Sequence, residues 1–207
     1  MDLLDFLLDQ HAHSHAAALT NAPEPMLSDQ ILAGLTDARL RARPAPGLNS
    51  IAWLLWHLAR CEDVMVGVLL TNHGQLLDED DWFARLNTTY RDMGTGMDDA
   101  GVTAVSAQLD LAALLAYRLA VGTRTRELLP TLPAPTWDDP IDPTRLLIAH
   151  AFPNPTDGQH RVATYWQNRT RRYLLTTSIT THNYQHLGEA NAIKSLVKRI
   201  ETVSQPG

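Results

Sequence analysis

Residues 49–72, NSIAWLLWHLARCEDVMVGVLLTN, form a segment whose apolar side chains cover much of a helix's circumference. A helix wetted along one side carries a narrower apolar stripe, so this one belongs at the centre of a helical assembly. Asn49 or Ser50 is placed to cap its start, and Gly74 lies just past its end. The rest of the chain must then supply helices that cover it. Leu3, Leu4, Leu7, Leu8, His11, His15 and Ala18 recur at three- and four-residue steps up to Asn21, ahead of Pro23 and Pro25. A short helix follows, with Ser28 as N-cap before Ile31, Leu32 and Leu35, and it stops at Arg43-Pro44-Ala45-Pro46-Gly47. A third main helix spans residues 103–129 and ends at Pro130; a fourth spans 163–200, with Leu175, Ile179, His182, His186, Ile193 and Val197 in one stripe. Between them lie a polar, glycine-bearing stretch at 75–101, with room for one short helix, and a proline-rich excursion at 130–159. The expected fold is all-α: a four-helix bundle with long loops between helices 2 and 3 and between helices 3 and 4, one domain over residues 1–207.

Charge and composition remove several function classes. Lys and Arg total 17 against 23 Asp and Glu, a formal net charge of −6 with His neutral. A sequence-independent nucleic-acid binder needs a dense cationic surface, which this balance does not supply, so nucleic acid is not an expected partner. The single Cys61 excludes an intramolecular disulfide, and MDLLDFLLDQ carries acids where a secretory leader carries bases, so the cytoplasm is the expected compartment. No apolar run approaches the roughly 20 residues that span a bilayer, so no membrane partner is expected.

Chemistry is concentrated in the histidines. His182 and His186 lie four residues apart on the apolar stripe of the fourth helix, about 6 Å of rise, which puts both rings on one inward face. His57 shares a stripe with Trp53, Cys61, Val64 and Val68 on the second helix. Inward imidazoles need partners. Three of them on two central helices are a candidate His₃ metal site that leaves coordination open; each taken alone is better explained as a hydrogen-bonded core residue. His11 and His15 share the same spacing and are read as structural, with a lining role as the alternative, while His13 falls off their stripe and is read as solvated. Cys61 is read as inert packing, with a soft metal ligand as the alternative, and Glu62, Asp63 and Glu189 as surface residues, with an alternative role as acceptors for ligand imidazoles or as a base. Arg169, Arg171 and Arg172 are read as a solvated face, with a carboxylate clamp as the alternative. Asp92-Met93-Gly94-Thr95-Gly96 has glycines but neither the lysine nor the preceding strand of a phosphate loop.

Three blocks together resemble the DinB-like superfamily: Asn49 to Arg60 with Glu62-Asp63, then Asp92-Met93-Gly94-Thr95-Gly96, then His182-Asn183-Tyr184-Gln185-His186-Leu187-Gly188-Glu189-Ala190. The resemblance implies metal-dependent enzymes built on a four-helix bundle, with a divalent ion held by His57, His182 and His186, frequent homodimers, and relatives that are thiol-dependent S-transferases or isomerases using low-molecular-weight bacterial thiols. The 130–159 excursion departs from that pattern. The expected function is therefore a metalloenzyme joining a thiol cofactor to a small electrophilic substrate, with zinc the first and nickel the second choice of ion. A metal-dependent hydrolase and a non-catalytic metal-binding protein are the alternatives; a structural zinc site normally takes four protein ligands, and three are found here.

Overall fold

The computed structural model describes residues 2–133 and 136–204, with side chains to residue 199. Pro135, one of the prolines of the 130–159 excursion, lies outside the described residues. Among the described residues the regular structure is helical, and one isolated bridge pairs Pro140 with Thr170.

Helix α1 (Leu3–Ser14) opens on a reciprocal cap in which the Asp2 carboxylate accepts the Asp5 N–H and the Asp5 carboxylate accepts the Asp2 N–H. It ends well before residue 21, because His15 leaves the helix in an extended conformation and turns its ring onto Glu62. The expected single short helix is two. In α2 (Leu27–Leu32), Ser28 lies in the first turn and is not the cap; the Asp29 carboxylate takes the Met26 and Ala17 N–H groups instead. Gly34, at φ 72°, turns the chain into α3 (Asp37–Arg41), capped by Thr36.

Helix α4 (Ile51–Glu62) starts as its sequence indicates, with Ser50 Oγ accepting the Trp53 N–H at 3.0 Å. It runs on without a break as a π-helical stretch, Asp63–Leu70, and every residue from Ile51 to Leu70 is buried. Burial of Arg60, Glu62 and Asp63 corrects the surface placement expected for the two acids. Each charge is answered. Arg60 donates to Asp63 Oδ2 and the Tyr117 hydroxyl, both at 2.9 Å, and to the Arg91 carbonyl at 2.7 Å. Asp63 also accepts the Leu76 and Leu77 N–H groups and the Tyr117 O–H. This network fastens residues 75–77 and 91–92 against the central helix, and α5 (Trp82–Arg85), which lies between them, packs on α7.

The expected third helix is broken. Helix α6 (Asp99–Gln108) ends at Leu109, and Asp110 caps α7 (Leu111–Leu128) by accepting the Ala113 N–H. The two helices meet at 99°. Among the described residues no single helix is long and apolar enough to cross a bilayer. The excursion contains α8 (Arg145–Ile148) and α9 (Pro155–Arg161), the latter extended by a π-helical turn, Val162–Trp166. Asn168, at φ 65°, then interrupts the expected fourth helix. It resumes as α10 (Arg171–Thr176), capped by Thr170, passes through a second π-helical turn, Thr177–Thr181, and becomes α11 (His182–Ser204).

Helices α7 and α11 pack directly on α4, and α1 packs on the π-helical turn that leads into α11. The core has two parts. One surrounds α4 with Val105, Leu114, Tyr117, Leu187 and Ile193; the other surrounds its π-helical extension with Leu7, Leu146, Phe152, Leu174 and Ile179. The histidines sit where α4 meets the start of α11.

Candidate metal centre

The three histidines singled out by spacing meet in space. One ligand nitrogen from each of His57, His182 and His186 lies within 4.8 Å of the other two. His57 Nε2 and His182 Nε2 are 3.2 Å apart, and the ring centroids are separated by 4.9 Å for His57–His182, 4.9 Å for His57–His186 and 4.6 Å for His182–His186. α4 supplies His57 from its buried middle, and the first two turns of α11 supply the pair. The π-helical turn just before His182 adds backbone without ending the helix, a device that recurs at functional sites.

Two of the three rings are held from behind. His57 Nδ1–H donates to the Met93 carbonyl, which as a carbonyl can only accept, so Nε2 carries the lone pair that faces the other histidines. Its ring stacks on Trp53 at 4.8 Å between centroids and 10° between planes. His186 Nδ1–H donates to Glu189 Oε2 at 2.9 Å, and the other oxygen of Glu189 accepts from Asn49 Nδ2 at 2.8 Å. A carboxylate or carbonyl behind a ring nitrogen is the usual support of a metal-ligating imidazole. Burial pushes the His57 imidazole down to about 4, with repulsion from His186 second. Burial likewise pushes His182 down to about 2, helped by His57 and His186. Near neutral pH both rings are unprotonated, the form in which imidazole binds metals. A cluster of three imidazoles, two of them oriented from behind by the Met93 carbonyl and Glu189, fits a divalent ion of the zinc, nickel or copper type.

The cluster opens on a cavity of about 390 Å³ whose walls include Phe152, Met65, Trp166, Thr177 and Arg161. Cys61 lines it too, with Sγ 3.7 and 3.8 Å from the His57 ring nitrogens. Burial holds its thiol up at about 12, and it is outside the group of mutually close ligand atoms. No fourth protein ligand joins the trio among the described residues.

His11 and His15 are buried but bind Glu62, away from the trio, and His13 is exposed. Arg169 lies over the rings of Tyr165 and Tyr173, Arg171 pairs with Thr136 and Arg172 with Asp138; none lines the cavity. The cationic wall residue is Arg161, which the sequence reading passed over. Its neighbour is the Gly94–Gly96 loop, where a Cβ on Gly96 would meet Arg161 at 3.0 Å. Gly94 itself, at φ 77°, brings the loop against the tryptophans: a Cβ there would lie 2.7 Å from Trp56 and 2.9 Å from Trp53. The glycines of this loop therefore serve close backbone approach, and that approach delivers the Met93 carbonyl to His57.

An all-helical protein with a three-histidine cluster under an apolar cavity is the class defined by this fold and site. The model of the DinB superfamily matches residues 24–190, and the chain belongs to that superfamily. The crystal structure of a conserved protein from Enterococcus faecalis is similar, with a TM-score of 0.68 at 20% identity over 95% of this chain and 98% of that one. At that identity the likeness concerns the fold. No protein of curated function matches the sequence.

Proposed function

We propose that the chain is a metal-dependent enzyme in which His57, His182 and His186 hold a divalent ion, zinc first and nickel second, and a low-molecular-weight thiol is joined to a small electrophile in the adjoining cavity. The observation that carries this reading is the placement of three mutually close imidazole nitrogens at a cavity, with no fourth protein ligand among the described residues. A bound ion supplies Lewis acidity, which lowers the pKa of a thiol or water at its free position. The protein's own part is positional. The Met93 carbonyl and Glu189 fix the tautomers and directions of His57 and His186. Phe152, Met65 and Trp166 give the substrate an apolar surface that displaces water. Arg161 stands where an anionic group on either reactant is met; it is half-exposed, and its Nε already donates to Asp157. Cys61, protonated and buried, is not the nucleophile.

The same proposal takes α1, α4, α7 and the α10–α11 run as the members of a four-helix bundle and residues 1–207 as one domain, in keeping with the packing of α7 and α11 on α4 and of α1 on the run that leads into α11. It also includes a homodimer and a cytoplasmic location. Conjugation assays with metal-loaded protein, a panel of bacterial thiols and small electrophiles test the activity. Turnover that disappears in His182→Ala is expected. Stoichiometric metal without turnover for any thiol would overturn the transferase in favour of a hydrolase or a non-catalytic metal protein.

A further inference from the structure

A second set of metal-ligand types lies deeper in the molecule. His11 and His15 from the end of α1 meet Glu62 from the last turn of α4, and one ligand atom from each lies within 4.8 Å of the others. His11 Nε2 is 2.8 Å from Glu62 Oε1, and His15 Nε2 is 3.1 Å from Oε2. All three side chains are buried, none more than 2% exposed. The two rings lean together with centroids 4.3 Å apart. We infer that His11, His15 and Glu62 form a second divalent-metal site, distinct from the His57, His182 and His186 trio, of the two-histidine, one-carboxylate type that takes zinc, cobalt or nickel.

Three further features support the inference. Gly122, within helix α7, makes room for the His15 ring, since a Cβ there would lie 2.9 Å from Cε1 and 3.0 Å from Nδ1. Glycine inside a helix costs about 1 kcal/mol relative to alanine, so the ring occupies space that the helix gives up stability to provide. A cavity of about 270 Å³, lined by His15, Arg118, Ser28 and Leu115, reaches the cluster and gives an ion a way in. Arg118 also sits there. Its Nη2 donates to the Ser14 carbonyl, while its Nε and Nη1 are buried without a partner. A divalent ion beside one carboxylate and one guanidinium leaves excess positive charge, and the two free donors of Arg118 are where a small anionic co-ligand balances it. The ordinary alternative is a closed hydrogen-bonded network in which both histidines donate to Glu62 and no ion enters.

Cobalt(II) titration of the chelator-stripped full chain, read by visible absorption and elemental analysis, separates the two. The wild type is expected to bind two equivalents. A His57→Ala/His182→Ala/His186→Ala variant is expected to keep one, and Glu62→Gln or His15→Gln to lose that one, weakening it by more than the roughly 10–100-fold seen when only an outer partner of a ligand is removed. Circular dichroism checks that each variant is folded, and anomalous difference maps of cobalt-soaked wild-type crystals locate the ions without any substitution. One equivalent in the wild type and none in the triple variant would overturn the second site and leave the first intact. One equivalent that survives in the triple variant and is lost in Glu62→Gln would establish the second site and overturn the first.

Discussion

Acid should unfold the metal-free protein at an unusually high pH. His15, His57 and His182 are held by burial at about 3, about 4 and about 2, against an ordinary value of 6.5. In the unfolded chain all three take up a proton below pH 6.5, whereas in the native state they stay neutral. The unfolded state thus binds more protons, so stability falls as pH falls through this window. The expected slope is about 4 kcal/mol per pH unit for three such groups once pH is below their unfolded value. By about pH 5 each has cost about 2 kcal/mol, and roughly 6 kcal/mol together is comparable with the whole stability of a typical domain, about 5–15 kcal/mol. Glu62 acts lower down. Its two histidine neighbours outweigh burial and hold its carboxyl well below 4.5, so its contribution is present above that value and is lost only as pH falls further. The onset near 6.5 therefore isolates the histidines. Urea denaturation in the presence of a chelator, followed by circular dichroism from pH 7.5 to 4.5, measures the slope. Replacing His15 by Gln should remove about a third of it. Stability that stays level between pH 7 and 5 would refute the claim that these rings are buried and neutral.

Three other outcomes follow from particular contacts. Gly94→Ala places a methyl group 2.7 Å from Trp56 at a left-handed backbone position, so it should cost about 2 kcal/mol or more, read as a lower urea midpoint at unchanged m. Glu189→Gln leaves a partly exposed site folded but weakens the support of His186, and competition with a chelator should show metal affinity about 10–100-fold lower. Cys61, with its thiol at about 12, should be silent toward Ellman's reagent in the native protein and react stoichiometrically in denaturant; rapid native reaction would contradict its burial.

The central helix and the three histidines were legible because both rest on local periodicity. An apolar segment with Ser50 at its start has one good solution, and a four-residue spacing on an apolar stripe fixes direction. What could not be read depends on partners far along the chain. Glu62 and Asp63 look like surface acids until His11, His15, Arg60 and Tyr117 are brought to them from up to 54 residues away. The third helix bends because Asp110 caps a new helix, and Leu109, fully buried, turns into the core at that corner. Neither residue breaks a helix by propensity alone. The Met93 carbonyl carries no side-chain signal at all; its only trace in the sequence is Gly94, whose need for a positive φ becomes meaningful once the tryptophans are in place.

The most direct test of the metal centre is a crystal structure of protein purified without an affinity tag, with data collected on both sides of the zinc and nickel edges. An anomalous peak about 2.0–2.1 Å from one nitrogen of each of His57, His182 and His186, with a further position open to the cavity, is the predicted result. A well-ordered site in which the three rings hydrogen-bond to one another or to water, with no peak after metal is added back, would contradict it.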